Sequence, residues 1–337
     1  MWRTRSTGRA SSDNREPDTA VTSGQVAGAV VGRRARRSGR RRLRHYGVVL
    51  LFLSPWIIGF LTFYLYPTLA SLYFSFTHYD LLTPPKWVGL ANYRFMVTDP
   101  LFWQSLRNTL WMVVFATPIQ IAFAIGCAVV LIRVKQGAGI YRTIFFVPTM
   151  VPAVAATLGF VFLLNPAGPI DRTLSLLHVP QPLWFQQPFW AKPGLLLLGL
   201  WGVGTTMIIF LAALLDVPKE LYEAADIEGA GPWQRFRNVT LPMISPVIFF
   251  SLVIGVIYGF QYFTEGYVAS GGDPNTLGNP QGSLLFYGIL LYQQGFQYFH
   301  MGYASAMAWV LFLIIMVTTL VLIWSSRRWV HYQGGFR

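Results

Sequence analysis

An all-α membrane protein with six transmembrane helices is what this chain predicts, and three observations carry that prediction. Hydrophobic residues make up 54% of it and charged residues 12%, against about 25% charged in a soluble domain, so an ordinary soluble fold is excluded. Apolar runs near 47–69, 107–132, 143–164, 195–215, 247–265 and 305–325 each reach the roughly 20 residues that a bilayer-crossing helix needs. The basic residues are also unevenly distributed between the two sides that six spans would create, as the positive-inside rule expects.

Residues 1–46 are rich in Arg, Ser and Gly and lack periodic apolar positions until Val30, so the sequence predicts a disordered basic tail. The block Arg33 to Arg44 immediately precedes the first span and reads as a topology determinant and anionic-lipid contact, not as a nucleic-acid grip. The first apolar run exceeds the 7–15 residues of a signal h-region and has no small-residue cleavage site, so it is expected to remain as a span. The third run contains Pro148 and Pro152, which membrane helices tolerate where neighbours satisfy the freed backbone groups.

With both termini inside, the tail, Arg133, Lys135, Arg142, Lys219, Arg235, Arg237, Arg327, Arg328 and Arg337 hold 21 of the 26 basic residues on the cytoplasmic side. Lys86, Arg94, Arg107, Arg172 and Lys192 remain outside. This frame makes 47–330 the membrane domain and 331–337 a short cytoplasmic tail, and puts the polar loop 216–246 in the cytoplasm. Run 284–292 is too short to cross and is expected to be a re-entrant or surface helix.

The loop 216–246 is the most informative stretch. Pro218 is placed to open a helix in which Leu221, Ala224, Ala225 and Glu228 follow at helical steps, with Glu220, Glu223 and Asp226 on the other face. Gly229 can end that helix, Gly231-Pro232 marks a turn, and Trp233 to Phe236 opens a second short helix expected to stop near Leu241-Pro242. The residue types and spacing of Glu223-Ala224-Ala225, Gly229-Ala230, Phe236 and Leu241-Pro242 resemble the EAA motif of membrane-spanning subunits of binding-protein-dependent ABC importers. Tyr66-Pro67 with Ser71-Leu72, Val88 to Tyr93, and Arg142 to Pro152 resemble the carbohydrate-uptake branch, related to maltose and glycerol-3-phosphate importer permeases.

That resemblance covers roughly Leu51 to the C-terminus and implies a type I ABC importer transmembrane fold. It implies that Glu220, Glu223, Ala224, Ala225, Glu228, Gly229, Ala230, Phe236, Leu241 and Pro242 form the joint with an ATPase subunit, the small residues permitting close packing. The partners it implies are a second permease subunit in a heterodimer, an ABC ATPase dimer that holds ATP and Mg, and an extracytoplasmic sugar-binding protein. The outer segments 82–102 and 266–303 would form the surface on which that binding protein docks.

The chain itself carries no ATPase signature: Lys86, Lys135, Lys192 and Lys219 follow Pro, Val, Ala and Pro, whereas a P-loop requires Gly-Lys. No cofactor is therefore expected on it. The one cysteine, Cys127, reads as packing, and the scattered histidines lack partners at metal-ligand spacing, so no metal is expected. An ion-driven transporter would usually carry ionisable residues at mid-span, and an intramembrane hydrolase needs a positioned acid, base or nucleophile; the spans offer neither.

In related permeases the spans flanking the coupling loop line the substrate path. Their middle and outer halves offer Trp201, Gly202, Thr205 and Thr206 before the loop, and Tyr258, Gln261, Tyr262 and Glu265 after it. Aromatic faces with amide and hydroxyl groups suit a sugar. Tyr258 and Gln261 share a face at i and i+3. Lys and Arg are nearly absent from the predicted path, which points to an uncharged mono- or oligosaccharide.

Overall fold

The structure, a computed structural model, describes residues 49–134, 136–166, 168–178, 182–273 and 275–331. The predicted disordered tail 1–46 and all but the first residue of the predicted tail 331–337 lie outside the described residues. The described chain divides at Pro67 into two units. Everything discussed below, apart from the start of the first helix, belongs to Thr68–Arg337.

Helices dominate. They run as α1 Val49–Ser75, α2 Ala91–Thr98, α3 Pro100–Ile132, α4 Ala138–Phe146, α5 Ala153–Leu164, α6 Pro169–Leu176, α7 Pro188–Trp201, α8 Gly204–Leu215, α9 Lys219–Ile227, α10 Pro232–Met243, α11 Ser245–Phe260, α12 Thr264–Ala269, α13 Tyr287–Tyr292 and α14 Met301–Ser326. A two-stranded antiparallel ribbon, β1 Thr77–His78 with β2 Lys86–Trp87, follows α1. In its turn the Thr83 backbone N–H and hydroxyl hold the Asp80 carboxyl below its ordinary range.

Three of the six predicted spans, α1, α3 and α14, are long and apolar enough to cross a membrane as continuous helices, and Ala153–Leu176 qualifies when taken across the break after Leu164. The remaining two are bent pairs, α7 with α8 at 52° and α10 with α11 at 66°, each long enough only when counted as one span. The expected third span, 143–164, is not one helix. It divides into α4, a 3-10 turn Val147–Met150 and α5, because Pro148 and Pro152 lack N–H donors and Pro152 takes an extended ψ of 137°. Likewise the fifth ends at Phe260, and α12 starts only after the non-helical Gln261–Phe263.

Three of the prolines inside the longer helices are accommodated by one recurring device. Leu61–Leu65, Met112–Ala116 and Phe236–Thr240 are π-helical turns that immediately precede Tyr66-Pro67, Thr117-Pro118 and Leu241-Pro242. The wider turn moves the carbonyl that a proline ring would strike and shares out the bond its missing N–H cannot make. For this reason α10 runs through Pro242 and ends at Met243, close to the Leu241-Pro242 stop the sequence suggested, before the bend at Ile244.

The short run 284–292 is neither a surface nor an independent segment. Leu284, Phe286, Tyr287, Ile289 and Leu290 are fully buried among Phe102, Met112, Leu195 and Met307. Thr109 Oγ1 accepts the Tyr287 N–H at 2.8 Å, Asn108 Nδ2 donates to Gly282 O at 2.7 Å, and the Tyr287 hydroxyl donates to Met307 O at 2.8 Å. These bonds wedge α13 between α3 and α14.

Candidate functional site

Two features stand out, a polar loop and a cavity, and two helices join them. The loop is α9 and α10. Pro218 caps α9 in an extended conformation, and Gly229 closes it at φ 76°. The Gly229 N–H donates to Asp226 O and the Ala230 N–H to Ala225 O at 2.9 Å, which is the double bond pattern of a Schellman cap. Gln234 Oε1 then accepts the Gly231 N–H at 2.8 Å at the start of α10. The two helices are tied by an Arg235–Asp226 ion pair, by Arg235 Nε donating to Ala230 O at 2.9 Å, and by a Tyr222–Thr240 hydroxyl bond of 3.0 Å.

This geometry sorts the residues that the EAA resemblance grouped. Glu220, Glu223, Ala224, Glu228 and Gly229 face outward and are exposed, as is Leu241, with Ala230 and Pro242 half-buried. Ala225 is buried and Phe236 half-buried in this chain. Phe236 packs with Tyr222, Val239 and Met243 onto a core containing Leu214, Val217 and Ile244. A surface of small residues at helical steps cannot by itself tell an outward from an inward face, which is why the sequence left both possible. Conversely, sequence reasoning passed over Ile227 and Trp233, which are 89% and 69% exposed at the tip, Trp233 being stacked on Phe236. Large apolar residues in a polar loop were the available signal.

The cavity, of about 690 Å³, opens among α3, α5, α7, α8, α11 and α12. All six residues predicted for the path, Trp201, Gly202, Thr205, Tyr258, Gln261 and Tyr262, line it, together with Thr206 and Glu265. Its walls contain three helix interruptions: Val151 before α5, Gly202 between α7 and α8, and Gln261–Phe263 between α11 and α12. Non-helical backbone at membrane depth is tolerated only where it is buried in protein or faces a watery cavity, and discontinuous helices are how transporters build substrate sites.

Close approach of backbones shapes these walls. A side chain at Gly204 would collide with the Phe145 carbonyl, so α8 begins directly against the end of α4. Gly255 and Gly259 lie against Thr117 and Val113, which lets α11 cross α3 at close range. From α3 the cavity also receives Gln120, whose amide packs on Gly199, and Thr117; Thr149 comes from the 3-10 turn. The sequence reading missed Gln120, although an uncharged amide in an apolar span is the kind of residue that costs free energy unless it has a polar neighbour.

Loop and cavity are mechanically continuous. The loop is strung between α8 and α11, and both carry cavity residues: Thr205, Thr206 and Ile209 on the first, Ser251, Ile254 and Tyr258 on the second. At 1.5 Å per residue, Thr205 and Tyr258 stand roughly 15–20 Å from the loop ends of their helices, about half the ~30 Å apolar thickness of a bilayer.

Residues 120–331 match the family described as binding-protein-dependent transport system inner membrane component. The chain belongs to this family. The permease is 43% identical over 286 residues to the probable ABC transporter permease protein YesP of Bacillus subtilis (strain 168), covering 84% of this chain and 91% of that one. It is 32% identical to the lactose transport system permease protein LacF of Rhizobium radiobacter, over 82% of this chain and 93% of the relative. Among solved structures, a chain of the bacterial alginate ABC transporter, in complex with alginate pentasaccharide-bound periplasmic protein, superposes with a TM-score of 0.70 at 23% identity. That superposition covers 86% of the permease and 96% of the alginate chain. At that identity the likeness establishes the fold, which is the transmembrane fold of an ABC importer.

Proposed function

We propose that the permease moves a mono- or oligosaccharide across the cytoplasmic membrane, driven by ATP hydrolysis on a separate subunit that docks on α9 and α10. The observation that carries this reading is the continuity of the exposed acidic loop, through α8 and α11, with a mid-depth cavity lined by Trp201, Tyr258, Gln120, Gln261 and several threonines. Aromatic faces cover the apolar faces of a pyranose, while amides and hydroxyls satisfy its hydroxyl groups. The relatives named for lactose and arabinooligosaccharide transport support the substrate class.

In this reading the cavity is one half of a pore completed by a second, different permease subunit. A two-copy ATPase supplies ATP and Mg, and a sugar-binding protein delivers the substrate from outside; both termini are cytoplasmic. Closure of the ATPase pulls the loop as a rigid body, and α8 and α11 convert that displacement into a change of access at the cavity. Such coupling requires that outward- and inward-facing states differ in affinity for ATP. Glu223 pairs a basic residue of the ATPase, while Ala224 and Gly229 let its surface come close.

The test is uptake into proteoliposomes holding the complete complex, with lactose and arabinotriose as substrates. ATP-dependent accumulation that requires the binding protein is the expected result. Accumulation driven by an ion gradient without ATP would overturn the reading in favour of a secondary transporter.

A further inference from the structure

A second, smaller cavity of about 410 Å³ lies beyond the central one, lined by residues none of which line the central cavity. Its position follows from two shared elements. The helix α5 contributes Ala153 and Ala156 to the central cavity, and its end contributes Val161 and Asn165 to the second one. The segment carrying α12 does the same, with Thr264 and Glu265 on the central cavity and Ala269 and Ser270 on the other. Five residues, from Ala156 to Val161 and from Thr264 to Ala269, correspond to roughly 7–8 Å of helix, so the two cavities are neighbours along α5 and α12. Because α11 leaves the coupling loop and α12 continues the chain beyond it, the second cavity is the one farther from that loop.

Its chemistry repeats that of the central cavity. Phe185 supplies an aromatic face, and its ring is held by contact with Gly194 of α7. Around it stand the amides of Asn165, Gln186 and Asn279 and the carboxylate of Asp273. The supporting loop satisfies itself internally: Asp273 Oδ1 accepts the Asn275 N–H at 2.8 Å, the Thr276 hydroxyl donates to Asp273 O at 3.1 Å, and the Tyr267 hydroxyl donates to Gly272 O at 2.9 Å. The three side-chain amides are exposed and take no part in that scaffold, so they are open to a ligand arriving from solvent.

We infer that this outer cavity is a second carbohydrate subsite, occupied by the sugar on its way to the central cavity. The inference rests on the sugar-import reading above. An aromatic platform with several idle amides recognises a hydroxylated ring and gives weak, sequence-of-sugar-tolerant binding suited to transit.

The experiment uses the complete complex without its binding protein, with Cys127→Ala as background and a single reporter, Asn165→Cys or Gln186→Cys. Maleimide labelling is timed with and without 10 mM lactose or arabinotriose, whichever the parent complex imports. Protection of at least about threefold by that sugar, with mannitol inert, is expected. In parallel, Gln186→Ala with Asn279→Ala should lower uptake at least about fivefold without loss of the ATPase from the purified complex. Normal uptake with neither protection nor a variant effect overturns the subsite and leaves sugar import standing. Protection by the binding protein alone overturns it in favour of a protein-docking surface. A parent complex that imports no sugar from a panel of mono- and oligosaccharides removes the import reading and the subsite together.

Discussion

The polar loop of α9 and α10 and the central cavity are both built from interrupted helices, yet they are specified in opposite ways. The loop is contiguous: its caps, Pro218, Gly229 and Gly231, and its tie, Asp226 to Arg235, all fall within one short stretch. The cavity gathers Gln120, Thr149, Trp201, Tyr258 and Gln261 from distant parts of the chain, and no local rule brings them together. The loop is therefore expected to fail through local conformation and surface chemistry, while the cavity should fail by losing contacts to what it carries.

The sharpest way to break the comparison is a pair of variants with opposite phenotypes. Tyr258→Ala with Gln261→Ala should reduce proteoliposome uptake by about 100-fold, as expected when about 2.7 kcal/mol of substrate contact is lost, while the ATPase still co-purifies. If that variant instead sheds the ATPase, cavity and loop are not separable. On the loop, Ile227→Asp should weaken ATPase association about 30-fold, or about 2 kcal/mol, because an exposed apolar tip residue of this kind is a candidate anchor. Titration of the purified permease pair with the ATPase reads that change directly, and sugar protection of cavity cysteines should be unaffected.

A smaller effect is expected from Gly229→Ala. The added methyl group meets open space, so only the backbone at φ 76° resists it, at about 1–2 kcal/mol. ATPase association should fall about 5- to 30-fold, and Gly229→Asn should recover most of the loss because Asn adopts this geometry more readily. Smallest of all is Asp226→Asn. The Arg235 and Asp226 side chains are 36% and 52% exposed, so breaking the ion pair should cost under about 1 kcal/mol, with the difference from wild type vanishing at high salt.

How much of this was legible in the sequence follows from the same contrast. The helix opened at Pro218, its closure at Gly229 and the turn at Gly231-Pro232 could be read because capping is a short-range effect. The inward turn of Ala225 and Phe236 could not, since it depends on what packs beneath them. Apolar length located the spans but not their breaks. Pro148 and Pro152 interrupt a helix, whereas Pro67, Pro118 and Pro242, each preceded by a π turn, do not. The six path residues expected from the spans beside the loop all line the central cavity. Gln120 was missed because it arrives from α3, and of the two alternatives for 284–292, re-entrant or surface, the sequence could not choose because length says nothing about what surrounds a segment; its burial removes the surface one.

The central claim is that this chain is driven through its loop by a separate ATPase. Mass spectrometry of what co-purifies from native membranes in mild detergent tests it most directly, comparing wild type with Glu223→Arg plus Gly229→Trp. Recovery of a P-loop ATPase and a second permease with wild type, and selective loss of the ATPase with the variant, is the predicted result. Recovery of the wild-type chain alone under several gentle conditions, or equal recovery of the ATPase with both proteins, would contradict it.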